Sequence, residues 1–304
     1  MLARLQQITV VLLLTACVGW AAWFIHAGHP FWAAAGAALI AFGYAAFLGL
    51  EFVLLGLIGR AQPSVPAPSA RQLLAAWWAE AQAAPRVFFW RQPFCSNAEP
   101  DLLVAARSGQ RGVLLVHGFV CNRGLWNPWM QRLRAQGIPF VAVNLEPVFG
   151  SLDDYTGAID EGVRRLEACT QLPPVIVGHS MGGLAMRAWL RDSANHARVH
   201  RLVTIGTPHQ GTWLARFALT PNGRQMRLNS AWLNRSAASG ERAAFRHFTC
   251  FYGHCDNIVF PALTATLPGA DNHHIAGTAH VQMAFHPTVF SEVQAWLRPA
   301  PQAA

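Results

Sequence analysis

The chain begins with two long runs of apolar residues. The first, residues 8–27, holds no charged side chain, and the second, residues 31–58, holds one, Glu51. Each run is long enough to cross the hydrocarbon core of a bilayer as a helix, and the few residues between them predict a tight helical hairpin. We therefore expect residues 1–60 to form a membrane anchor of two transmembrane helices. A cleaved signal peptide is the alternative for the first run, and a buried core helix for the second.

A proline-rich segment follows the apolar runs. Pro63, Pro66 and Pro68 favour an extended chain, and residues 71–84 repeat apolar side chains at helical spacing. Residues 61–84 are thus expected to be a linker and a juxtamembrane helix. Few contacts should cross such a boundary, so the rest of the chain is expected to fold alone.

Two adjacent tryptophans lie on this predicted juxtamembrane helix. Trp77 and Trp78 are suited to the membrane–water interface, and they are equally suited to packing on the domain that follows. The sequence leaves both interpretations open.

The orientation of the anchor depends on a few arginines. Arg4 precedes the first apolar run, Arg60 and Arg71 follow the second, and the turn between the runs carries neither Lys nor Arg. The positive-inside rule places both ends in the cytoplasm. We therefore expect a multi-pass protein of the cell membrane, in bacteria the inner membrane, with a cytoplasmic catalytic domain.

From residue 85 onward, short apolar runs alternate with amphipathic segments. Strands are predicted at 113–116, 140–143, 175–177, 202–205 and 248–252, and helices at about 124–136, 153–169, 180–192 and 287–298. This alternation is typical of a mostly parallel sheet with helices on both faces, so residues 85–304 are predicted to be one α/β domain. Residues 213–246 are expected to form a cap that serves as an acyl-chain pocket or lid, and amphipathic helices packed on the sheet are the alternative.

Composition narrows the classes of partner. The 304-residue chain is 53% hydrophobic, and its 23 basic residues, all arginine, exceed its 15 acidic ones to give a net charge of +8. The arginines are scattered and no nucleic-acid motif is present, so we expect attraction to an anionic membrane and no nucleic-acid binding. Beyond the apolar runs the cysteines are odd in number, which favours a reducing compartment, although a Cys250–Cys255 bridge stays open.

Residues 178–182, Gly-His-Ser-Met-Gly, lie between a strand pattern and a helical pattern. This is the Gly-x-Ser-x-Gly arrangement, in which a serine lies on a sharp strand-to-helix turn with its hydroxyl exposed. The flanking glycines remove side chains that would clash in such a turn. We interpret Ser180 as a nucleophile, and a serine that caps a glycine-rich helix is the alternative.

A serine nucleophile needs a base, and the base needs an acid that orients it. The acids after Ser180 are Asp192, Glu241, Asp256, Asp271 and Glu292, and the later histidines include His273, His274, His280 and His286. Asp256 is favoured because it follows a predicted strand, with Asp271 as the second choice. His280 is favoured because it lies in a loop just before the last predicted helix.

Acyl transfer also needs two backbone N–H groups aimed at the developing oxyanion. The N–H groups of Met181, directly after the serine, and of Phe119, after the first predicted strand, are the expected donors. Gly118 would let the backbone approach the substrate closely, and His117 and His179 are expected to contact the substrate with it. Hydrogen bonding to the backbone is the alternative role for His117.

These motifs resemble the bacterial lipase/esterase branch of the α/β-hydrolase superfamily. The resemblance covers about residues 111–298 and rests on residues 117–119, 178–183 and 206–212, on Asp256 with Val259 and Pro261, and on His280. It implies an α/β-hydrolase fold, here preceded by two transmembrane helices. It also implies hydrolysis of carboxylic esters through an acyl-serine intermediate, without a metal or other cofactor.

The sequence thus predicts a membrane-anchored serine ester hydrolase, lipase- or esterase-like, acting on a lipid or another apolar acyl ester. Thioesterase and acyltransferase reactions use the same triad and stay open. The alternative from another class is a non-catalytic membrane protein on a hydrolase scaffold, or a permease-like component. The complete set of candidate catalytic residues favours the enzyme.

Overall fold

Two long helices form a hairpin at the N-terminus of the computed structural model, which describes residues 1–59, 62, 64–103, 109–238 and 240–297. The helices are α1 (Leu2–His26) and α2 (Pro30–Ile58). Both are long and apolar enough to cross a membrane by length and composition. Helix α1 begins before residue 8, where the predicted apolar run starts, because its first turns also contain polar residues. The apolar pattern identifies only the part of the helix that is suited to lipid.

The N-terminal end of α1 contacts the domain that follows. Gln6 Nε2 donates to Gln92 Oε1 at 2.8 Å, and Gln7 Nε2 donates to the carbonyl oxygen of Pro93 at 2.6 Å. The base of the hairpin is therefore attached to the domain by hydrogen bonds as well as by the chain.

Helix α2 and the next helix, α3 (Ala70–Pro85), pack on each other and on the domain. They share one apolar cluster with the domain, whose buried members are Phe52, Leu55, Ala76, Cys255, Phe260 and Ala279. The expectation that few contacts cross the proline segment is wrong.

The described residues do not include Arg60, Pro63 or residues 298–304, on which some of the sequence predictions depend.

The two tryptophans of α3 differ in their surroundings. Trp77 is half-buried against the shared apolar cluster, and its Nε1 donates to the carbonyl oxygen of Ala45 at 2.8 Å. Trp78 is 61% exposed. Trp77 therefore packs on α2, and only Trp78 is free to meet a membrane surface.

Six parallel strands of the described chain form one sheet in the order β2-β1-β3-β4-β5-β6. They are β1 (Val113–Val116), β2 (Phe140–Ala142), β3 (Val175–His179), β4 (Arg201–Ile205), β5 (Phe248–Tyr252) and β6 (Asp271–His274). The register pairs Leu115 with Val177 and Val177 with Val203. Five strands were predicted, and β6 was not, because its Asp-Asn-His-His sequence is polar and mostly exposed.

Helices cover both faces of the sheet, as predicted. They are α4 (Gln92–Phe94), α5 (Asn127–Ala135), α6 (Thr156–Thr170), α7 (Met181–Trp189), α8 (Pro221–Gln225), α9 (Ala231–Ala238), α10 (His280–Met283) and α11 (Pro287–Leu297), with a π-helix at Arg86–Arg91. Residues of α6 and α7 form one core with Leu114 and Ile176, and residues of α5 and α11 form the other with Leu115 and Val177. The alternating side chains of β1 and β3 thus divide between the two cores, which is the physical basis of the α/β prediction.

Candidate active site

Ser180 lies on the turn between β3 and α7, with φ 55° and ψ −127°. A positive φ is uncommon for a residue with a side chain, and such strain is concentrated at functional sites. The N–H of Ser180 donates to the carbonyl oxygen of Ile205 at 2.8 Å, which ties the turn to β4. Ser180 lines a cavity of about 420 Å³.

His280 and Asp256 meet beside this cavity. His280 Nδ1 lies 2.9 Å from Asp256 Oδ2, and both side chains are buried. Asp256 follows β5, and its Oδ1 accepts the N–H groups of Ile258 and Val259 at 2.9 and 2.8 Å. His280 begins α10 and lines the same cavity as Ser180. The fold thus brings the three predicted residues to one site.

The charge state of His280 is set by opposing effects. Burial lowers its pKa, but the Asp256 carboxylate, its hydrogen bond and the Glu80 carboxylate outweigh burial and hold the pKa above its ordinary value. In the neutral form, a proton on Nδ1 faces Asp256, which leaves Nε2 as the ring atom able to accept a proton. The acid–base pair has the arrangement that a serine nucleophile requires.

The second-choice acid and histidines lie elsewhere. Asp271 begins β6 and pairs with Arg201 at 3.5 Å, and His274 Nε2 lies 2.9 Å from His254 Nδ1. His286 Nδ1 accepts the N–H of Thr288 at the start of α11. None of these second choices lines the cavity of Ser180.

Two backbone amides flank Ser180. Met181 is the first residue of α7, where an N–H has no intrahelical acceptor, and Phe119 lies in the loop after β1 and lines the cavity. Among the described residues, neither amide donates to a protein acceptor. The adjacent Val120 has φ 51°, which is strained for a β-branched residue. A Cβ on Gly118 would lie 2.9 Å from the Cβ of Ser180, so only glycine fits there.

The two histidines predicted to contact the substrate differ. His117 Nδ1 bonds the carbonyl oxygen of Gly118 at 2.9 Å, and its Nε2 accepts the N–H of Leu145 at 3.0 Å. It does not line the cavity of Ser180, and the backbone role is the one observed, so the substrate contact of His117 stays a prediction. Burial lowers its pKa to about 4, which keeps the ring neutral.

His179 does line the cavity. Its Nε2 donates to the carbonyl oxygen of His280 at 3.1 Å, and its buried Nδ1 has no partner among the described residues. Burial and the neighbouring His280 lower its pKa well below the ordinary value. His179 therefore stays a candidate for substrate contact, as a neutral acceptor.

Gly206 lies directly against the Asp256–His280 pair. Its φ is +55°, and an added Cβ would lie 2.9 Å from Asp256 Oδ2 and 3.0 Å from His280 Nδ1. The Gly-Thr-Pro segment that it begins is also locked to the elbow, because the Thr207 hydroxyl donates to the carbonyl oxygen of Ser180 at 2.9 Å. The motif at 206–212 therefore shapes the site from β4.

Replacing Gly206 with alanine is expected to lower kcat/KM at least about tenfold, since small misplacements of catalytic groups have effects of this size. Gly277→Ala is the matched control, because Gly277 also has a positive φ, +67°, but has open space around it. Steady-state kinetics and thermal unfolding of both variants separate the two effects. If Gly206→Ala loses no more activity than Gly277→Ala, intrusion of the added Cβ at the Asp256–His280 pair has no effect on the reaction.

Two carboxylates from the N-terminal helices, partly buried Glu51 and buried Glu80, reach the same cavity. Glu51 of α2 accepts Asn257 Nδ2 at 2.7 Å, and Asn257 Oδ1 accepts the N–H of His280 at 3.2 Å. Glu80 of α3 accepts the N–H groups of Val281 and Gln282 at 2.8 and 3.0 Å. Burial raises the pKa of Glu80 to about 7, against the lowering effect of these hydrogen bonds.

Neither acid was predicted from the sequence to lie at the site. Glu51 could have been identified from the sequence, because an ionisable residue within an apolar span is usually functional. Glu80 could not have been identified in this way, since an acid beside an apolar helix face is ordinary.

The rest of the cavity lining is mainly apolar and comes from α2, α3, the π-helix and the loops after β1 and β5, including Phe47, Leu48, Ala84, Phe88, Val120 and Ile258. None of the residues of 213–246 that the structure describes lines it. Met226, Trp232, Leu233 and Phe245 of that segment instead join the core on one face of the sheet. These residues thus pack on the sheet and away from this cavity, and the acyl-chain pocket or lid expected of 213–246 stays a prediction.

Within the described ranges, no group of three or more His, Cys, Asp or Glu side chains is placed to hold a metal ion. Cys250 and Cys255 are buried free thiols, so the bridge left open by the sequence is not formed.

Comparison with known proteins identifies the family. The model of the alpha/beta hydrolase family matches residues 113–303. The mature lipase BlEst2 of Bacillus licheniformis is similar at 16% identity over 64% of this chain and 95% of that chain, with a TM-score of 0.57. Lipase B of Aspergillus fumigatus is similar at 18% identity over 88% of this chain and 69% of that chain, also with a TM-score of 0.57. No curated protein sequence matches the chain. At such low identity the two lipases show the fold alone, while the family match covers most of the sequence, and the chain belongs to the alpha/beta hydrolase family.

Proposed function

We propose that the protein is a membrane-anchored serine hydrolase of carboxylic esters. Ser180 is the nucleophile, His280 the general base and Asp256 the acid that orients the base. The observation that carries the proposal is that His280, bonded to buried Asp256 at 2.9 Å, shares one cavity with a serine on a strained turn.

The reaction follows from these groups. Ser180 Oγ attacks the acyl carbon while its proton passes to His280 Nε2. The N–H groups of Phe119 and Met181 stabilise the oxyanion. The intermediate collapses, the alcohol leaves with the proton from His280, and an acyl-serine remains. Water then attacks this ester, gives its proton to His280, and the acid is released as Ser180 recovers its proton.

The apolar lining of the cavity favours an apolar acyl group. The two similar structures described above are both named lipases, and we take an oxygen ester as the substrate by analogy with those names. A thioester or a second acceptor in place of water would use the same residues, so those reactions differ in substrate and not in machinery. The narrower bacterial lipase/esterase assignment stays a prediction.

The membrane part of the proposal rests on α1 and α2. Both are spans by length and composition, and both ends of the hairpin contact the same domain, so one side of the membrane holds the whole catalytic unit. Arg4 and Arg71 favour the cytoplasmic side. Attraction of the net charge of +8 to anionic lipid acts in the same direction.

A fluorophosphonate probe tests the catalytic proposal. The full-length protein in detergent is expected to be labelled at Ser180, and hydrolysis of p-nitrophenyl butyrate is expected to stop as labelling proceeds. Ser180→Ala should remove both signals, whereas Ser230→Ala, a serine outside the cavity lining, should keep both. Labelling of wild type at another residue, or persistent hydrolysis by Ser180→Ala, contradicts the proposal.

A further inference from the structure

The catalytic cavity has a wall that the α/β domain does not supply. Phe47 and Leu48 of α2 line it together with Ser180 and His280. Phe47 is also 64% exposed, so it lies where the cavity opens to the outside. One side of the entrance to the site is therefore formed by an apolar helix with the length and composition of a membrane span.

The polar groups of this wall already have partners. Glu51 accepts a hydrogen bond from Asn257, and Glu80 accepts two from the backbone that follows His280. A ligand in the cavity can therefore contact the apolar surface of Phe47, Leu48 and the neighbouring Phe88. Such a surface fits a hydrocarbon chain better than a polar head group.

The position of this wall relative to a bilayer follows from the hairpin. Hydrogen bonds between the hairpin and the rest of the described chain involve only residues 1–7 and 44–51. The projecting part of α1, residues 8–26, is about 28 Å long at a rise of about 1.5 Å per residue. This is close to the roughly 30 Å of a bilayer hydrocarbon core. When this part spans the bilayer, Phe47 and Leu48 lie near the surface of the core, beside the acyl chains of the lipids.

From these observations we infer that α2 forms one wall of an acyl-chain site, and that the substrate is a membrane lipid ester whose acyl chain passes from the bilayer into the cavity alongside Phe47 and Leu48. The inference rests on the proposed function and names its substrate class. It makes α2 part of the binding site as well as the anchor. Leu48 and Phe47 are then residues that determine acyl-chain specificity.

The test compares two tryptophan substitutions on α2 in the full-length, detergent-solubilised protein. Leu48→Trp reduces the space for a chain, while Leu50→Trp changes a side chain that is 54% exposed and does not line the cavity. The ratio of kcat/KM for p-nitrophenyl palmitate to that for p-nitrophenyl butyrate is expected to fall about tenfold or more in Leu48→Trp, because contacts of several methylene groups are lost. Leu50→Trp is expected to keep the wild-type ratio.

Two further measurements test the inference even if the Leu48→Trp variant does not fold. Phe47→Ala, at an exposed position, is expected to lower the same ratio. A long-chain fluorophosphonate with a diazirine on its chain, bound to wild-type Ser180 and irradiated, is expected to crosslink to the α2 peptide that holds Phe47 and Leu48.

The inference is overturned by a ratio that is equal in wild type and all three variants, or by crosslinks confined to residues 213–246. Failure of the proposed function has a different result. In that case wild-type protein would neither hydrolyse the butyrate ester nor be labelled at Ser180.

Discussion

His280→Ala and Asp256→Asn are each expected to lower kcat for a short soluble ester by about 10³-fold or more, since removal of one member of a serine triad has effects of this size. Without His280 the Ser180 proton has no acceptor. Without the Asp256 carboxylate the ring of His280 loses the partner at 2.9 Å that fixes its tautomer. The double variant is expected to lose little more than either single variant, because the residues act as one unit.

Matched controls come from the residues that the sequence offered as second choices. His274→Ala and Asp271→Asn remove the same chemical groups from β6, away from the cavity. Both are expected to keep kcat within about twofold of wild type, since exposed substitutions have small effects. A loss in His274→Ala as large as that in His280→Ala would move the base to β6.

The pH dependence of wild type provides a second readout of the same pair. The pKa of His280 lies above its ordinary value of 6.5, and the protonated ring cannot act as a base. The rate kcat/KM is therefore expected to rise with pH along an acidic limb whose midpoint lies above 6.5. In Asp256→Asn the residual activity is expected to show this limb at lower pH, because the carboxylate that favours the charged ring is gone. Glu80 and Glu51 also face the site and remain in that variant.

Elements with a strong local signal could be predicted from the sequence. β1, β3 and β4 are apolar runs that are buried on both faces of the sheet. Helices cover both faces of a parallel sheet, so its strands are apolar throughout and can be identified as continuous apolar runs. The position of Ser180 follows from two glycines that a sharp turn requires. Asp256 was predicted because it follows a predicted strand, and His280 because it lies just before the last predicted helix. In the structure His280 Nδ1 and Asp256 Oδ2 meet.

The features that the sequence did not predict depend on long-range contacts. β6 is held by pairing with β5 and has no apolar pattern of its own. The bonds of Glu80 to Val281 and Gln282 join residues about 200 positions apart. No local periodicity reports such a contact, and the same holds for the packing of α2 on Phe260. The proline segment suggested a boundary because prolines extend the chain, but extension does not exclude packing on either side of it.

The second large effect is expected at this packing. Phe52 on α2 is 4% exposed and belongs to the apolar cluster that α2 and α3 share with the domain. It lies beyond the part of the hairpin that projects from the domain, so its burial removes it from water as well as from lipid. Phe52→Ala is expected to reduce the free energy of unfolding by about 3–5 kcal/mol, the usual cost of a large cavity in a core.

The comparison variant is Phe42→Ala, which removes the same side chain from an exposed position on the same helix. Thermal unfolding of the full-length protein in detergent should show a large drop in Tm for Phe52→Ala and little change for Phe42→Ala.

The same reasoning applies to a chain that starts at Ser69. Without α2, Phe260 and Ala279 lose their cover and Asn257 loses the carboxylate of Glu51, so the loop that holds His280 is left partly unsupported. Such a chain is expected to be unstable and nearly inactive even on short esters. If it instead folds with wild-type Tm and full activity, α2 is a tether and the packing at Phe52 contributes nothing to the catalytic domain.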